Sequence, residues 1–363
     1  MENCFKNELK DKQKELERLL PTASKSEKKI ILETLDVIAI NLGKERIPGS
    51  IDILLEQDYQ ELIESKFLWN QIEKIAKIKT QAQEIEEKQF NLTPQNMQIN
   101  LKDIIDILHD FFKKATNKET YEIFQKIYNE NKKSIRFINA NNPDYTGELI
   151  YLEYFHKFYI MACKQNELED IMTFAHEFGH AIQFFCNYNS NLYKELNIYI
   201  EIISIFFELI CNEYFQNINK KESIITGYNT LNKHLNSSIT LNSELTLLRA
   251  VQINSNEKIT NLRENIDELI DTLSKEDIES MMRLRPATNY IYVIAFNIAT
   301  NLFMIYKKDP DYALYLAFKI INIDLNINKE EYYQILENLE ITDINRTRDY
   351  NNLLLTRLKK ANN

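Results

Sequence analysis

The stretch Asp170-Ile171-Met172-Thr173-Phe174-Ala175-His176-Glu177-Phe178-Gly179-His180-Ala181-Ile182-Gln183-Phe184-Phe185 is apolar on nearly every side, yet it carries two histidines and an acid at its centre. On a helix, positions i and i+4 lie about 40° apart around the axis, so His176 and His180 project from one face. Two neutral imidazoles one turn apart can hold a zinc ion at about 2.0–2.1 Å. Glu177 sits beside them, where a carboxylate can act as general base on a water. The flanking Ile171, Phe174, Ala175, Phe178, Ala181 and Ile182 predict a buried helix. Three polar side chains there are unfavourable unless paired or metal-bound.

A catalytic zinc takes three protein ligands and leaves a fourth position open. The best third ligand downstream is Glu201, in Tyr199-Ile200-Glu201-Ile202-Ile203-Ser204-Ile205-Phe206-Phe207-Glu208-Leu209. This segment also predicts an apolar helix. Glu201, Ser204 and Glu208 are its polar residues besides Tyr199, and offsets of +3 and +7 place them on one face. Two buried carboxylates need a cation or donors. A zinc ion on Glu201, with Glu208 orienting a ligand histidine or the helix itself, would meet that need. Glu195 or Glu208 as the ligand, in another kind of H-E-x-x-H zinc hydrolase, is the competing assignment.

The rest of the 363-residue chain fits a largely helical protein. It has only 5 glycines and 6 prolines. Tight-turned sheets and phosphate-binding loops need glycine at positive φ, so their scarcity speaks against both. The net charge of −10, without a basic patch, makes nucleic acid an unsuitable partner. No run of 18 apolar residues exists, which predicts no membrane span. Charged residues follow Met1-Glu2-Asn3-Cys4-Phe5-Lys6 directly, and Cys4, Cys163, Cys186 and Cys211 are scattered. Together these predict a cytoplasmic protein with reduced thiols.

Helical spacing covers residues 5–20, 28–42, 54–90 as one or two helices, the region from 93 to Phe112, and 117–131. The period then changes. Short strands are predicted at Ser134–Ile138, Glu148–Leu152 and Phe155–Ala162. A strand edge beside a metal site can pair with an extended peptide through main-chain hydrogen bonds. Helices follow to the end, with breaks expected at 217–219, 236–238, 285–286 and 309–311. The expected organisation is an N-terminal helical region over 1–131 and a catalytic region over 132–363.

The run from Asp170 to Ala181 resembles the active-site helix of the oligoendopeptidase F and thimet oligopeptidase family of zinc metallopeptidases. Glu201-Ile202-Ile203-Ser204 is similar to that family's E-x-x-S ligand motif, and Glu208 fits its second acid. Gly179 matches the glycine that lets the motif helix pack closely on its neighbour. The resemblance implies a mainly α metallopeptidase fold, with a small sheet beside the zinc-binding helix and a deep substrate channel. It implies one zinc ion, held by His176, His180 and Glu201, and hydrolysis of internal bonds in short or unfolded peptides. Glu177 would move the proton. Asp170, Ser204 and Glu208 would support the ligands.

The strand from Phe155 to Ala162 corresponds to the family's substrate-side edge strand, so His156, Phe158 and Tyr159 are candidate substrate contacts. The family's late histidine and tyrosines map onto Arg283-Leu284-Arg285-Pro286-Ala287-Thr288-Asn289-Tyr290-Ile291-Tyr292. Tyr290 and Tyr292 are then candidates for oxyanion stabilisation, while Ala287 stands about where the histidine would be. That departure motivates an alternative: a non-catalytic or weakly active peptide-binding protein on the same zinc scaffold.

Overall fold

The structure is a computed structural model, and it describes residues 2–42, 65–82, 94–97, 99–138, 146–187, 197–255, 286–323 and 327–362. Among these are twelve α-helices and one three-stranded sheet. The chain divides into two compact units that interleave in sequence. One comprises Met1–Ile47, Thr93–Gly227 and Leu302–Lys329; the other comprises Pro48–Leu92, Tyr228–Asn301 and Glu330–Asn363.

The first unit is built on the sheet. Strands β1 (Ile135–Ile138), β2 (Gly147–Leu152) and β3 (Lys157–Cys163) lie in the order β1-β3-β2. β1 runs parallel to β3, with Ile135 opposite Ile160, and β2 runs antiparallel to it, with Gly147 opposite Ala162. A single 3₁₀ turn, Glu153–Phe155, followed by His156 at φ 45°, reverses the chain between β2 and β3. The strand boundaries fall close to those the alternation predicts.

The sheet order corrects one expectation. The strand after Phe155 is central and paired on both sides, so among the described residues β2 is the end strand on that side. Alternation marks which residues form strands, but the order depends on β1 returning beside β3, which no local pattern encodes.

Helices cover both faces of the sheet. On one side, α1 (Glu2–Leu19) and α2 (Lys25–Asn41) bring Leu9, Leu16, Ile31 and Ile38 into one buried cluster with Ile150, Leu152, Tyr159 and Met161. On the other lies α6 (Leu168–Cys186), where Phe174 meets Phe137 and Phe184 meets Tyr151. Beyond it, α4 (Leu101–Ala115), α5 (Lys118–Asn131) and α7 (Asn197–Phe215) close an aromatic core. Phe112 stacks on Phe124 at 4.3 Å between centroids, and Phe124 meets Phe178 at 4.8 Å. Asn100 and Asn117 cap α4 and α5 by accepting from the backbone N–H three residues on. α10 (Pro310–Ile321) starts at the expected break, with Asp309 as its cap and Pro310 in the first turn.

The second unit contains α3 (Lys66–Ala82), most of α8 (Lys220–Ser255) and α9 (Pro286–Tyr306), nearly all of α11 (Lys329–Asn338), and α12 (Ile344–Asn362). A buried polar network joins three of them. Asn297 donates to Gln71 at 3.0 Å and accepts from Thr347 at 2.6 Å. The break expected at 236–238 is absent, because α8 runs through it. The Ser237 and Ser238 hydroxyls donate to the Lys233 and Leu235 carbonyls, within the helix they were expected to end. No described helix is long and apolar enough to cross a membrane.

Candidate metal centre

Two adjacent helices build the site. α6 carries His176, Glu177 and His180, and α7 carries Glu201, Ser204 and Glu208. They meet at Gly179. A methyl group there would lie 2.6 Å from the Ser204 Cα and 3.2 Å from the Ile203 carbonyl, so only glycine admits this approach. Close packing places the acids of α7 directly beside the histidines of α6.

The Nε2 atoms of His176 and His180 lie 3.3 and 3.6 Å from the same oxygen, Oε2 of Glu201. Bonds of 2.0–2.2 Å in a tetrahedral zinc site imply ligand–ligand distances of about 3.3–3.6 Å. The three ligand atoms all lie within 4.8 Å of one another, and this is the one such group of His, Cys, Asp and Glu among the described residues. The donor set therefore fits a single zinc ion. The unused nitrogens fit as well. Nδ1 of His176 is 3.2 Å from Glu208 Oε2, the carboxylate contact that fixes a ligand imidazole from behind. Nδ1 of His180 is buried without a hydrogen bond of full geometry, and the Ile200 backbone beside it favours the charged ring only weakly. The Ser204 hydroxyl donates to the Glu201 carbonyl at 2.9 Å and lies 3.4 Å from its carboxylate.

The electrostatics follow from burial and proximity. Burial alone would lower the pKa of His176, but the Glu201 and Glu208 carboxylates outweigh it and hold the ring well above its ordinary value. Burial brings His180 down to about 4. Burial opposes ionisation of Glu201 too, yet the two histidines keep its pKa below the usual carboxylate value. Glu177 is pushed up to about 8, first by burial and then by the charges of Glu201, Glu148 and Glu208, against the opposing charge of His176. A divalent cation among these groups would change each balance, since its charge becomes the largest in the site.

Glu177 lies against the sheet at Gly147. Its carboxylate sits where a Cβ on Gly147 would stand: such an atom would be 2.8 Å from Glu177 Oε1 and 2.5 Å from Thr173 Cγ2. The first residue of edge strand β2 thus lies against the acid. Gly147 and Thr173 were not singled out in the sequence. The available signal was a lone glycine opening a strand in a chain with only 5 glycines.

The other expected site residues have the following surroundings. Asp170 is buried, but its carboxylate accepts from the Gln165 and Asn166 backbone N–H groups at 2.8 and 2.9 Å. It anchors the loop entering α6 and touches no ligand residue through these bonds. Tyr159 is fully buried, and its hydroxyl donates to Glu8 of α1. Phe158 is buried under Tyr151, with ring centroids 4.5 Å apart. Both belong to the central strand, so neither lies on a free edge. His156 is exposed, with Nδ1 3.2 Å from the Tyr151 hydroxyl. Tyr290 is buried while Tyr292 is 43% exposed. Residues two apart on a helix point about 200° apart, so these two cannot share one direction. Both belong to the second unit. Glu195 and Arg283–Arg285 lie outside the described residues.

No protein-family model matches the chain, and no curated protein sequence matches it. Solved structures do. A protein from Bacillus anthracis str. Ames assigned as an oligoendopeptidase F aligns over 97% of this chain and 64% of its own, at 15% identity and a TM-score of 0.53. PZ peptidase A, solved with an inhibitor, aligns over 92% of this chain and 66% of its own, at 14% identity and a TM-score of 0.53. A further protein assigned as oligoendopeptidase F aligns over 96% of this chain and 66% of its own, at 14% identity and a TM-score of 0.51. This chain therefore spans slightly less than two thirds of the length of those neighbours. At such identities the likeness shows the fold: the large helical oligoendopeptidase fold with its small sheet.

Proposed function

We propose that this chain is a zinc-dependent peptidase that hydrolyses internal bonds of short or unfolded peptides. One observation carries the reading. Three zinc-compatible ligand atoms and a buried glutamate converge beside β2, an end strand of the three-stranded sheet among the described residues. The peptidase-like fold supports it.

His176, His180 and Glu201 would hold the ion. Zinc, when bound, supplies the Lewis acidity that polarises the scissile carbonyl and acidifies water. The residues of the chain do the rest. Glu208 fixes the His176 ring through Nδ1, and Ser204 steadies Glu201. Glu177 takes the proton from the attacking water and passes it to the leaving amine. Its burial keeps bulk solvent from competing for that proton. An extended peptide would pair with the main chain of β2, which among the described residues is an end strand of the sheet, the pairing by which sheet edges bind peptides without reading every side chain. In this reading the substrate-side strand is β2, and His156, at the end of the β2–β3 turn, remains a candidate contact for a substrate running along it.

Incubation with a mixed synthetic peptide library, read by mass spectrometry with and without a chelator, tests the reading. Internal cleavages that the chelator abolishes and added zinc restores are expected. Binding without any chelator-sensitive cleavage would overturn it in favour of a non-catalytic peptide binder.

A further inference from the structure

We propose that Gly147 is a positioning residue for Glu177: by having no side chain, it leaves the space on edge strand β2 in which the carboxylate is seated. The inference rests on the peptidase reading and assigns to this glycine a role in its chemistry.

The geometry is specific to that position. Gly147 is paired with Ala162 of the central strand, so its backbone is held in the sheet. A Cβ there would meet three atoms. The Met161 carbonyl, at 3.1 Å, is backbone and would yield little. Thr173 Cγ2 at 2.5 Å and Glu177 Oε1 at 2.8 Å are side-chain atoms one helical turn apart on α6, so they would have to move. Glu177 is the only one of the three whose contacting atom would do chemistry. Nothing at Gly147 requires glycine for backbone reasons alone, since strand pairing is open to any residue. The requirement is for room.

Displacing the carboxylate should leave the metal ligands in place, because His176, His180 and Glu201 sit on α6 and α7, which pack on each other at Gly179, and none of the three meets a Cβ at Gly147. Gly147→Ala is therefore expected to act on turnover. Proton transfer by a positioned group contributes about 10²–10⁴-fold to rate, so a misplaced base should lower kcat by at least about tenfold. Zinc content should stay at one per chain, and KM should change little.

A double-mutant comparison separates positioning from general damage. Gly147→Ala is made in the unaltered chain and in the Glu177→Gln background, and zinc content, kcat and KM are measured on a peptide the unaltered chain cleaves. The expected result is a large loss of kcat in the unaltered background and none in the Glu177→Gln background, where the base is already absent. A crystal structure of Gly147→Ala is expected to show the Glu177 carboxylate displaced. An unchanged kcat, an equal loss in both backgrounds, or loss of zinc would overturn the proposal while leaving the peptidase reading intact. Absence of chelator-sensitive cleavage by the unaltered chain would overturn the peptidase reading itself, and the role of Gly147 with it.

Discussion

Glu201 and Glu208 share His176 between them, one at each ring nitrogen. Seven residues on α7 separate the acids, which brings both to the same side of that helix two turns apart. The outer acid keeps Nδ1 as the donor and leaves Nε2 free to bind a metal. Glu208→Ala should weaken zinc binding by about 10–100-fold, the range for losing such a supporting carboxylate. Competition against a chromophoric chelator measures this, and unchanged affinity would show that the ring needs no support. Residues of this kind were legible in the sequence, because i,i+4 and i,i+7 spacings fix shared faces before any tertiary structure exists. Tyr290 and Tyr292 were not. Their chemistry depends on which way α9 turns them, and only packing sets that. Asp170, an acid in the first turn of a helix, accepts instead from nearby backbone N–H groups that no spacing rule names.

At the scale of elements, the sheet takes its position from both sides. Glu8 of α1 accepts from the Lys157 ammonium and the Tyr159 hydroxyl, both on β3. Burial works to raise the Glu8 pKa, but those two donors and the charges of Lys157 and Arg136 bring it below the ordinary value. A carboxylate with a depressed folded pKa stabilises the fold fully above its unfolded pKa, about 4.3 for glutamate. The contribution is lost as pH falls through the lower folded value. Glu8→Gln should therefore narrow the stability difference between neutral and acidic pH, with the two proteins converging below about pH 4.3. Urea denaturation at a series of pH values checks this, and a gap that widened on acidification would contradict the sign. The strands were readable from the change of period, and the start of α10 from the break at 309–311. Sheet order was not, since residues 147–152 and 157–163 look equally able to form an edge. The serines at 237 and 238 misled for a physical reason: they end helices only when they bond outside the helix, and here they bond within it.

At the scale of the whole molecule, the two units draw on alternating parts of the chain, and α8 and α9 each run across a division between them. The site is drawn from a much shorter span of the first unit, Gly147 to Glu208. Two of the chain's 5 glycines stand at the site, one pressed on Ser204 and one on Glu177. In a chain so poor in glycine, each marks a place where a side chain would obstruct a close approach in the first unit. The central claim, that metal-assisted hydrolysis here depends on Glu177, is tested most directly by comparing zinc content and hydrolysis rate in Glu177→Gln and the unaltered chain. The account predicts one zinc ion per chain in both and a rate lower by about 10²–10⁴-fold in the variant; hydrolysis by the variant at the unaltered rate would contradict it.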